Sequence, residues 1–207
     1  MSSDITVVIS AIPERADLLA RAVASVASQT LPPAFIIVSI DANGDGAAIT
    51  RTRGLEQVTT KWVAFLDDDD EFMPEHLAKL RECADQNDAD FVFPWFVVKG
   101  GTDPFPLNEA RDWDITDPHQ TTVTVLVRTE AALKVGGFIW EGMDDTPGEE
   151  FEFAVRLGKA GYKIVKLHER TWYWYHWAHR GRAANTMGRP SRREFAYHGE
   201  RQPGHST

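Results

Sequence analysis

The chain has 207 residues, of which 43% are hydrophobic and 11% aromatic, so it can build one sizeable core and is not a disordered protein. Its net charge of -9 is unevenly spread, because residues 180–207 carry six arginines against two glutamates. A single cysteine excludes an internal disulfide framework, and no stretch approaches the roughly 20 apolar residues that a membrane span needs.

The first half of the chain is predicted to alternate between strands and helices. Apolar, β-branched runs predict strands at ITVVIS, AFIIVSID and KWVAFLD, and apolar residues at helical spacing predict helices at IPERADLLARAVASVASQ, AITRTRGLEQV and MPEHLAKLRECADQ. The last helix has Pro74 in its first turn and Cys83 on its apolar face, which we interpret as a core thiol. The N-terminal strand lacks the basic flank and cleavage site of a signal peptide, so cytoplasmic residence is the default expectation.

The second half continues the same pattern. It predicts strands at ADFVFPWFVVKG and TTVTVLVR, a helix at FEFAVRLGKAGY that ends at Gly161, and further strand material at KIVKLHERTWYWYHW. A Pro- and Asp-rich break at residues 100–117 separates the two halves, and we expect each half to hold one ligand. Strands that alternate with helices favour the α/β class, with a mostly parallel central sheet flanked by helices.

A run of five carboxylates, Asp67 to Glu71, directly follows the apolar strand WVAFL. An inner strand of an open α/β sheet ends at the edge where such sheets bind ligands. While the chain stays extended, Asp67 and Asp69 project to the same side, and two like charges about 4 Å apart repel by ~4 kcal/mol at an effective dielectric constant near 20. A half-buried cluster therefore needs a positive partner, and Mn²⁺ or Mg²⁺ suits oxygen ligands. The run predicts a metal–diphosphate site; the alternative is a solvated acidic loop.

Several motifs in order resemble the family 2 glycosyltransferases of the GT-A fold, from about Ile5 to about His179. The run FLDDDDEF resembles the family's DxD motif, and IIVSID, TRTRGLEQVTTKWVAFLDDDD, LKVGGF and GEEFEFAVRLGKAGYKI resemble its other segments. The resemblance implies a GT-A-like nucleotide-diphospho-sugar transferase fold and inverting, metal-dependent transfer from a UDP- or GDP-linked donor. Residues 1–100 would form the donor-binding half, residues 101–179 the acceptor-side half of the same domain, and residues 180–207 a basic tail that is a lid or disordered.

The resemblance also implies residues that bind the donor nucleotide. Asp41 would accept a hydrogen bond from the base, and Pro13 and Glu14 would lie against the nucleoside. Arg51 would reach a phosphate. Two alternatives stay open, because Asp41 suits an acidic turn after a strand and Arg51 suits a helix surface.

Within the acidic run, the resemblance favours Asp69 as the metal ligand, with Asp67 as the alternative or second ligand. Asp68 would contact the ribose or the donor sugar. Asp70 and Glu71 are interpreted as helix-capping or solvated charges. Because the run is degenerate, its register is not fixed by the sequence.

The pair Glu149–Glu150 stands where the family has a Glu–Asp pair whose second carboxylate is the general base. Glu150 would then take the acceptor's proton, helped by a pKa raised in apolar surroundings such as Phe151, Phe153 and the region of Trp140. Glu149 or Asp145 are alternatives for the base. A helix N-terminus also favours acidic residues through its dipole, without any chemistry.

The stretch WYWYHWAHR supplies two histidines, His179 and His176, either of which matches a further metal or diphosphate contact of the family. His179 is slightly preferred, and a neutral imidazole suits Mn²⁺ better than Mg²⁺. The aromatic rings before them are interpreted mainly as core. Arg180 and Arg182 would help to neutralise a diphosphate or belong to a solvated tail.

Two other functions are considered. A sugar nucleotidyltransferase would carry a glycine-rich, basic loop after the first strand, which SAIPERADL lacks. A non-catalytic cation- or glycan-binding module would use the acidic run and the Trp-rich strand. The acceptor is open, and a small molecule, a protein, a glycan or a modified nucleic acid is compatible with the sequence.

Overall fold

The computed structural model describes residues 3–103, 105–119, 121–139 and 148–175. In these ranges seven strands form one sheet, with helices packed against it. The strands are β1 (Ile5–Ala11), β2 (Phe35–Ile40), β3 (Trp62–Asp67), β4 (Glu71–Phe72), β5 (Phe91–Lys99), β6 (Leu126–Arg128) and β7 (Ile164–Tyr175). The α-helices are α1 (Ala16–Ala27), α2 (Ala47–Leu55), α3 (His76–Asn87), α4 (Thr129–Lys134) and α5 (Glu149–Lys159), and a single 3₁₀ turn spans Pro13–Arg15.

The sheet has the order β2-β1-β3-β6-β5-β7-β4. Its long pairings, β1 with β2, β1 with β3 and β5 with β7, are parallel. The short pairings, β3 with β6, β5 with β6 and β4 with β7, are antiparallel. The predicted α/β fold with helices flanking a central sheet is therefore confirmed, with antiparallel strand pairs confined to a few residues. As predicted, β3 is an inner strand, lying between β1 and β6.

The core lies on both faces of β1 and β3. Every residue of β1 is buried, and so are the five apolar residues at the start of β3, so both faces of these strands are covered; α1 and α2 contact β1. Helix α2 packs very close to β1: a Cβ added at Gly54 would stand 2.4 Å from Cγ1 of Val8. Cys83 is buried on the inner face of α3, as predicted for a core thiol.

Four local features differ from the prediction. The strand expected at TTVTVLVR is reduced to Leu126–Arg128, and α3 begins at His76, after Pro74. Strand β4 and helix α4 were not predicted, because two and six residues are too short to show a period. No helix in the described ranges is both long enough and apolar enough to cross a membrane.

Candidate active site

The acidic run forms a buried turn at the end of β3. Asp68, Asp69 and Asp70 are 2–3% exposed, which excludes the solvated-loop alternative. The amide of Asp68 donates to the carbonyl of Ser10, and the amide of Asp70 donates to that of Asp67, so the chain folds back immediately after the strand. One oxygen from each of Asp67, Asp69 and Asp70 lies within 4.8 Å of the others.

Asp70 and Glu71 are not solvated or helix-capping charges, and that part of the prediction is wrong. Asp70 is 3% exposed, and its Oδ1 accepts a hydrogen bond of 3.0 Å from the amide of Tyr175. Glu71 lies in β4, where its Oε1 pairs with Nε of Arg21 at 2.8 Å. The pairing of β4 with β7 places Glu71 opposite Tyr173, and Asp70 directly precedes this pairing.

Arginine side chains supply much of the positive charge that the run requires. Nη1 of Arg15 lies 3.1 Å from Oδ1 of Asp68 and 2.9 Å from Oδ2 of Asp69. Nη2 of Arg51 lies 2.7 and 2.8 Å from the two oxygens of Asp67, which also accepts a hydrogen bond from Ser10 at 2.7 Å. The sequence reasoning assigned the countercharge to a divalent cation. The structure shows that these two arginines also supply part of it.

Burial and neighbouring charges shift the pKa values of the carboxyls in this run. Burial raises the pKa of Asp68 to about 6, despite hydrogen bonds from the amide of Ile12 and from Arg15. Burial and the neighbouring charges of Asp69 and Asp67 hold the pKa of Asp70 well above its usual range. Burial would also raise the pKa of Asp67, but the charge of Arg51 outweighs it and lowers that pKa.

Arg51 connects the acidic run to the second predicted constellation. It lies on α2, is 4% exposed, and its Nη1 contacts Oε1 of Glu149 and lies 3.8 Å from Oε1 of Glu150. The surface alternative for Arg51 is wrong, since one guanidinium group joins Asp67 to the start of α5. Its terminal nitrogens are hydrogen-bonded to carboxylates, and the contact of Arg51 with a phosphate stays a prediction.

Glu150 has the environment expected of a general base. Its side chain is 23% exposed, and burial together with the charge of Glu149 raises its pKa to about 7, although Arg51 opposes the shift. Phe153, one turn along α5, is 1% exposed and packs on Phe138. A carboxyl with a pKa near neutrality can both accept and release a proton at physiological pH. Asp145 and Trp140 lie outside the described residues.

The loops after β1 and β2 lie at the same edge of the sheet. Asp41 is 5% exposed, and its two oxygens accept hydrogen bonds from the amides of Asp45 (2.7 Å) and Gly46 (2.9 Å), so it holds the turn that precedes α2. The acidic-turn alternative thus describes its contacts. Pro13 and Glu14 are exposed in the 3₁₀ turn that follows β1.

Sequence reasoning did not single out Arg15, Arg21 or Ser10, which all contact the acidic run. The available signal was the need of five adjacent carboxylates for cations, together with the arginines of PERADLLAR. His176, His179 and the basic segment 180–207 lie outside the described residues.

The carboxylates fit Mn²⁺ or Mg²⁺ as hard oxygen ligands. Asp67, Asp69 and Asp70 supply the donor set. The charges of Asp68, Glu149 and Glu150 lie close to them, and Arg15 and Arg51 provide only part of the compensation. An added divalent cation would lower the electrostatic free energy of this edge.

Residues 40–132 match the family model described as Glycosyl transferase family 2. Crystal structures of S. aureus TarS are similar in fold: residues 1–349 with UDP-GlcNAc give a TM-score of 0.71 at 15% identity, covering 89% of this chain and 60% of that one. The same fragment alone gives 0.68 at 16% identity, covering 83% and 60%. With UDP it gives 0.67 at 17% identity, covering 83% and 60%.

This chain thus spans 60% of the length of these TarS fragments. A comparison with curated protein sequences gives no match. The likeness in fold, together with the family match, confirms both the GT-A-like fold and the resemblance read from the sequence motifs.

Proposed function

We propose that this chain is a family 2 glycosyltransferase that moves a sugar from a UDP- or GDP-linked donor to an acceptor hydroxyl, with inversion at the anomeric carbon. One observation supports this most: Arg51 joins the acidic turn after β3 to Glu149 and Glu150, whose raised pKa suits a base. The proposed metal–diphosphate site and the proposed base therefore lie on either side of Arg51. The UDP-GlcNAc and UDP complexes of TarS make a uridine nucleotide the first donor to test.

Donor binding is assigned to residues 1–100. Pro13, Glu14 and the turn held by Asp41 would receive the nucleoside, since they lie at the carboxyl ends of β1 and β2. Asp68 would contact the ribose or sugar. Asp67, Asp69 and Asp70 would hold Mn²⁺ or Mg²⁺, which neutralises charge on the departing diphosphate when bound. His176 and His179 remain proposed as further contacts.

The acceptor side is assigned to residues 101–179. Glu150 would take the proton of the attacking hydroxyl, on the face of the donor sugar opposite the diphosphate. Glu149 and Arg51 would orient Glu150, because Glu149 contacts the guanidinium and Glu150 lies 3.8 Å from it. Thr121 donates to the backbone carbonyl of Glu150 at 3.1 Å, which ties the preceding loop to the start of α5. The acceptor class stays open.

Incubation with Mn²⁺ and a panel of UDP- and GDP-sugars tests the proposal. Release of free nucleoside diphosphate, by transfer or slow hydrolysis, is expected, and EDTA should stop it. Formation or consumption of pyrophosphate would instead indicate a nucleotidyltransferase. If neither reaction is detected, a non-catalytic binding module is indicated. The glycine-rich loop of a nucleotidyltransferase is missing after β1, where the short turn Pro13–Arg15 stands.

A further inference from the structure

Arg15 occupies an unusual position in the acidic site. It ends the short turn Pro13–Arg15 after β1, and its side chain is 13% exposed. Its Nη1 reaches both Asp68 (3.1 Å) and Asp69 (2.9 Å), whose side chains are only 3% and 4% exposed. The same loop is fixed to Asp68 by the amide of Ile12, which donates to Oδ2 at 2.9 Å. The guanidinium is thus a countercharge of two buried carboxylates of the turn.

This countercharge conflicts with a bound cation. Asp69 belongs to the cluster of Asp67, Asp69 and Asp70 whose oxygens lie within 4.8 Å of one another, so a divalent ion there would lie close to the guanidinium of Arg15. Like charges at such separations repel strongly in a partly buried site. The cation and Arg15 therefore compete for Asp69 unless something negative joins them.

A diphosphate is the group that removes this conflict. The planar guanidinium of arginine suits bidentate pairing with phosphate oxygens. The other two residues of the turn, Pro13 and Glu14, are exposed, so the turn borders the open edge of the sheet. A diphosphate arriving at that edge would offer Arg15 a new partner without disturbing β1.

We propose that Arg15 is a donor-site residue that makes cation binding depend on the nucleotide: it pairs with Asp68 and Asp69 until a nucleoside diphosphate arrives, and then pairs with the diphosphate while the cation takes Asp69. This inference rests on the proposed function, because it assumes that the acidic turn binds a cation and a nucleoside diphosphate. It adds Arg15 to the proposed donor site and makes tight binding of the cation at Asp69 depend on prior binding of the nucleotide.

The test measures Mn²⁺ affinity by electron paramagnetic resonance, with and without saturating UDP or GDP. Wild type should bind Mn²⁺ weakly alone and much more tightly with nucleotide. Arg15→Ala should bind Mn²⁺ alone at least about tenfold more tightly than wild type, since one nearby positive charge is lost, and should bind nucleotide more weakly. The factor by which nucleotide improves Mn²⁺ affinity should fall towards one.

Two further variants control for charge and folding. Arg15→Lys keeps the charge and should resemble wild type in Mn²⁺ affinity without nucleotide. Arg111→Ala removes an exposed arginine paired with Asp117 and should leave both affinities unchanged. Thermal melting confirms that the variants are folded.

The outcomes separate the two proposals. If wild type takes up no Mn²⁺ even with nucleotide, the metal-dependent function fails and the role of Arg15 falls with it. If wild type binds both together but Arg15→Ala gains no Mn²⁺ affinity, or keeps the full effect of nucleotide, only the role of Arg15 is overturned.

Discussion

The raised pKa of Glu150 makes the sharpest prediction, because it concerns one carboxyl and one proton. Glu150→Gln keeps the size and polarity of the side chain but cannot accept a proton. We expect turnover of whichever sugar nucleotide is active to fall by about 10²- to 10⁴-fold, the usual contribution of a general base. Affinity for UDP should change little, because Glu150 lies beyond Arg51 from the acidic turn.

The pKa of Glu150 predicts how kcat/KM depends on pH. Burial, followed by the charge of Glu149, raises the pKa of Glu150 to about 7, so the ionised form is present above that pH and is lost as pH falls through it. The kcat/KM of wild type should therefore fall about tenfold per pH unit below 7. Glu149→Gln removes one repelling charge, and the midpoint should move down by about one pH unit.

The assay is initial release of nucleoside diphosphate between pH 5 and 9, with Mn²⁺ saturating and the sugar nucleotide well below its KM, so that the rate reports kcat/KM. Glu152→Gln is the matched control: Glu152 lies on the same helix, its side chain is 45% exposed, and it faces Arg156. Its profile should match that of wild type. Two results would show that Glu150 is not the base. One is unchanged turnover in Glu150→Gln, and the other is a residual rate of this variant that still falls about tenfold per pH unit below 7.

Three other predictions concern the surroundings. Arg51→Met should lower the free energy of unfolding by about 3 kcal/mol at pH 7 in urea titrations, because buried carboxylates lose their partner. This loss of stability should become smaller as the pH falls towards 5, because the unpaired carboxylates of the folded variant then take up protons. A deficit independent of pH would contradict this. Asp70→Asn should weaken Mn²⁺ binding at least about tenfold. The melting temperature should change little, since no ion pair of Asp70 is found among the described residues. Equal Mn²⁺ affinity in the variant and the wild type would exclude Asp70 as a ligand. Gly54→Ala should cost about 1–3 kcal/mol in the same titrations, because its methyl group would meet Val8, and a gain in stability would show that α2 can shift.

The sheet and its acidic edge were predictable from local sequence. Five apolar residues before Asp67 can only be buried on both faces, and such strands lie inside an α/β sheet. A carboxylate run directly after an inner strand then falls at the ligand-binding edge. The resemblance to the family placed Glu149 and Glu150 at a helix start, and α5 does begin at Glu149.

The contacts that balance these charges were not predictable. Arg51 and Glu149 are 98 positions apart, and nothing in either local pattern indicates that they meet. Arg15 and Arg21 read as ordinary polar residues around an amphipathic helix. Strand β4 is visible only through its partner, since two residues carry no period and the pairing of Phe72 with Trp172 is set by the rest of the sheet.

The last strand ends at the acidic turn. The final amide of β7, that of Tyr175, donates to Asp70, and the ring of Tyr175 lies under the guanidinium of Arg21, 4.3 Å away. The C-terminal end of β7 therefore lies beside the acidic turn. A spectroscopic label placed at this end of β7 would therefore report on any cation or nucleotide that binds at the acidic turn.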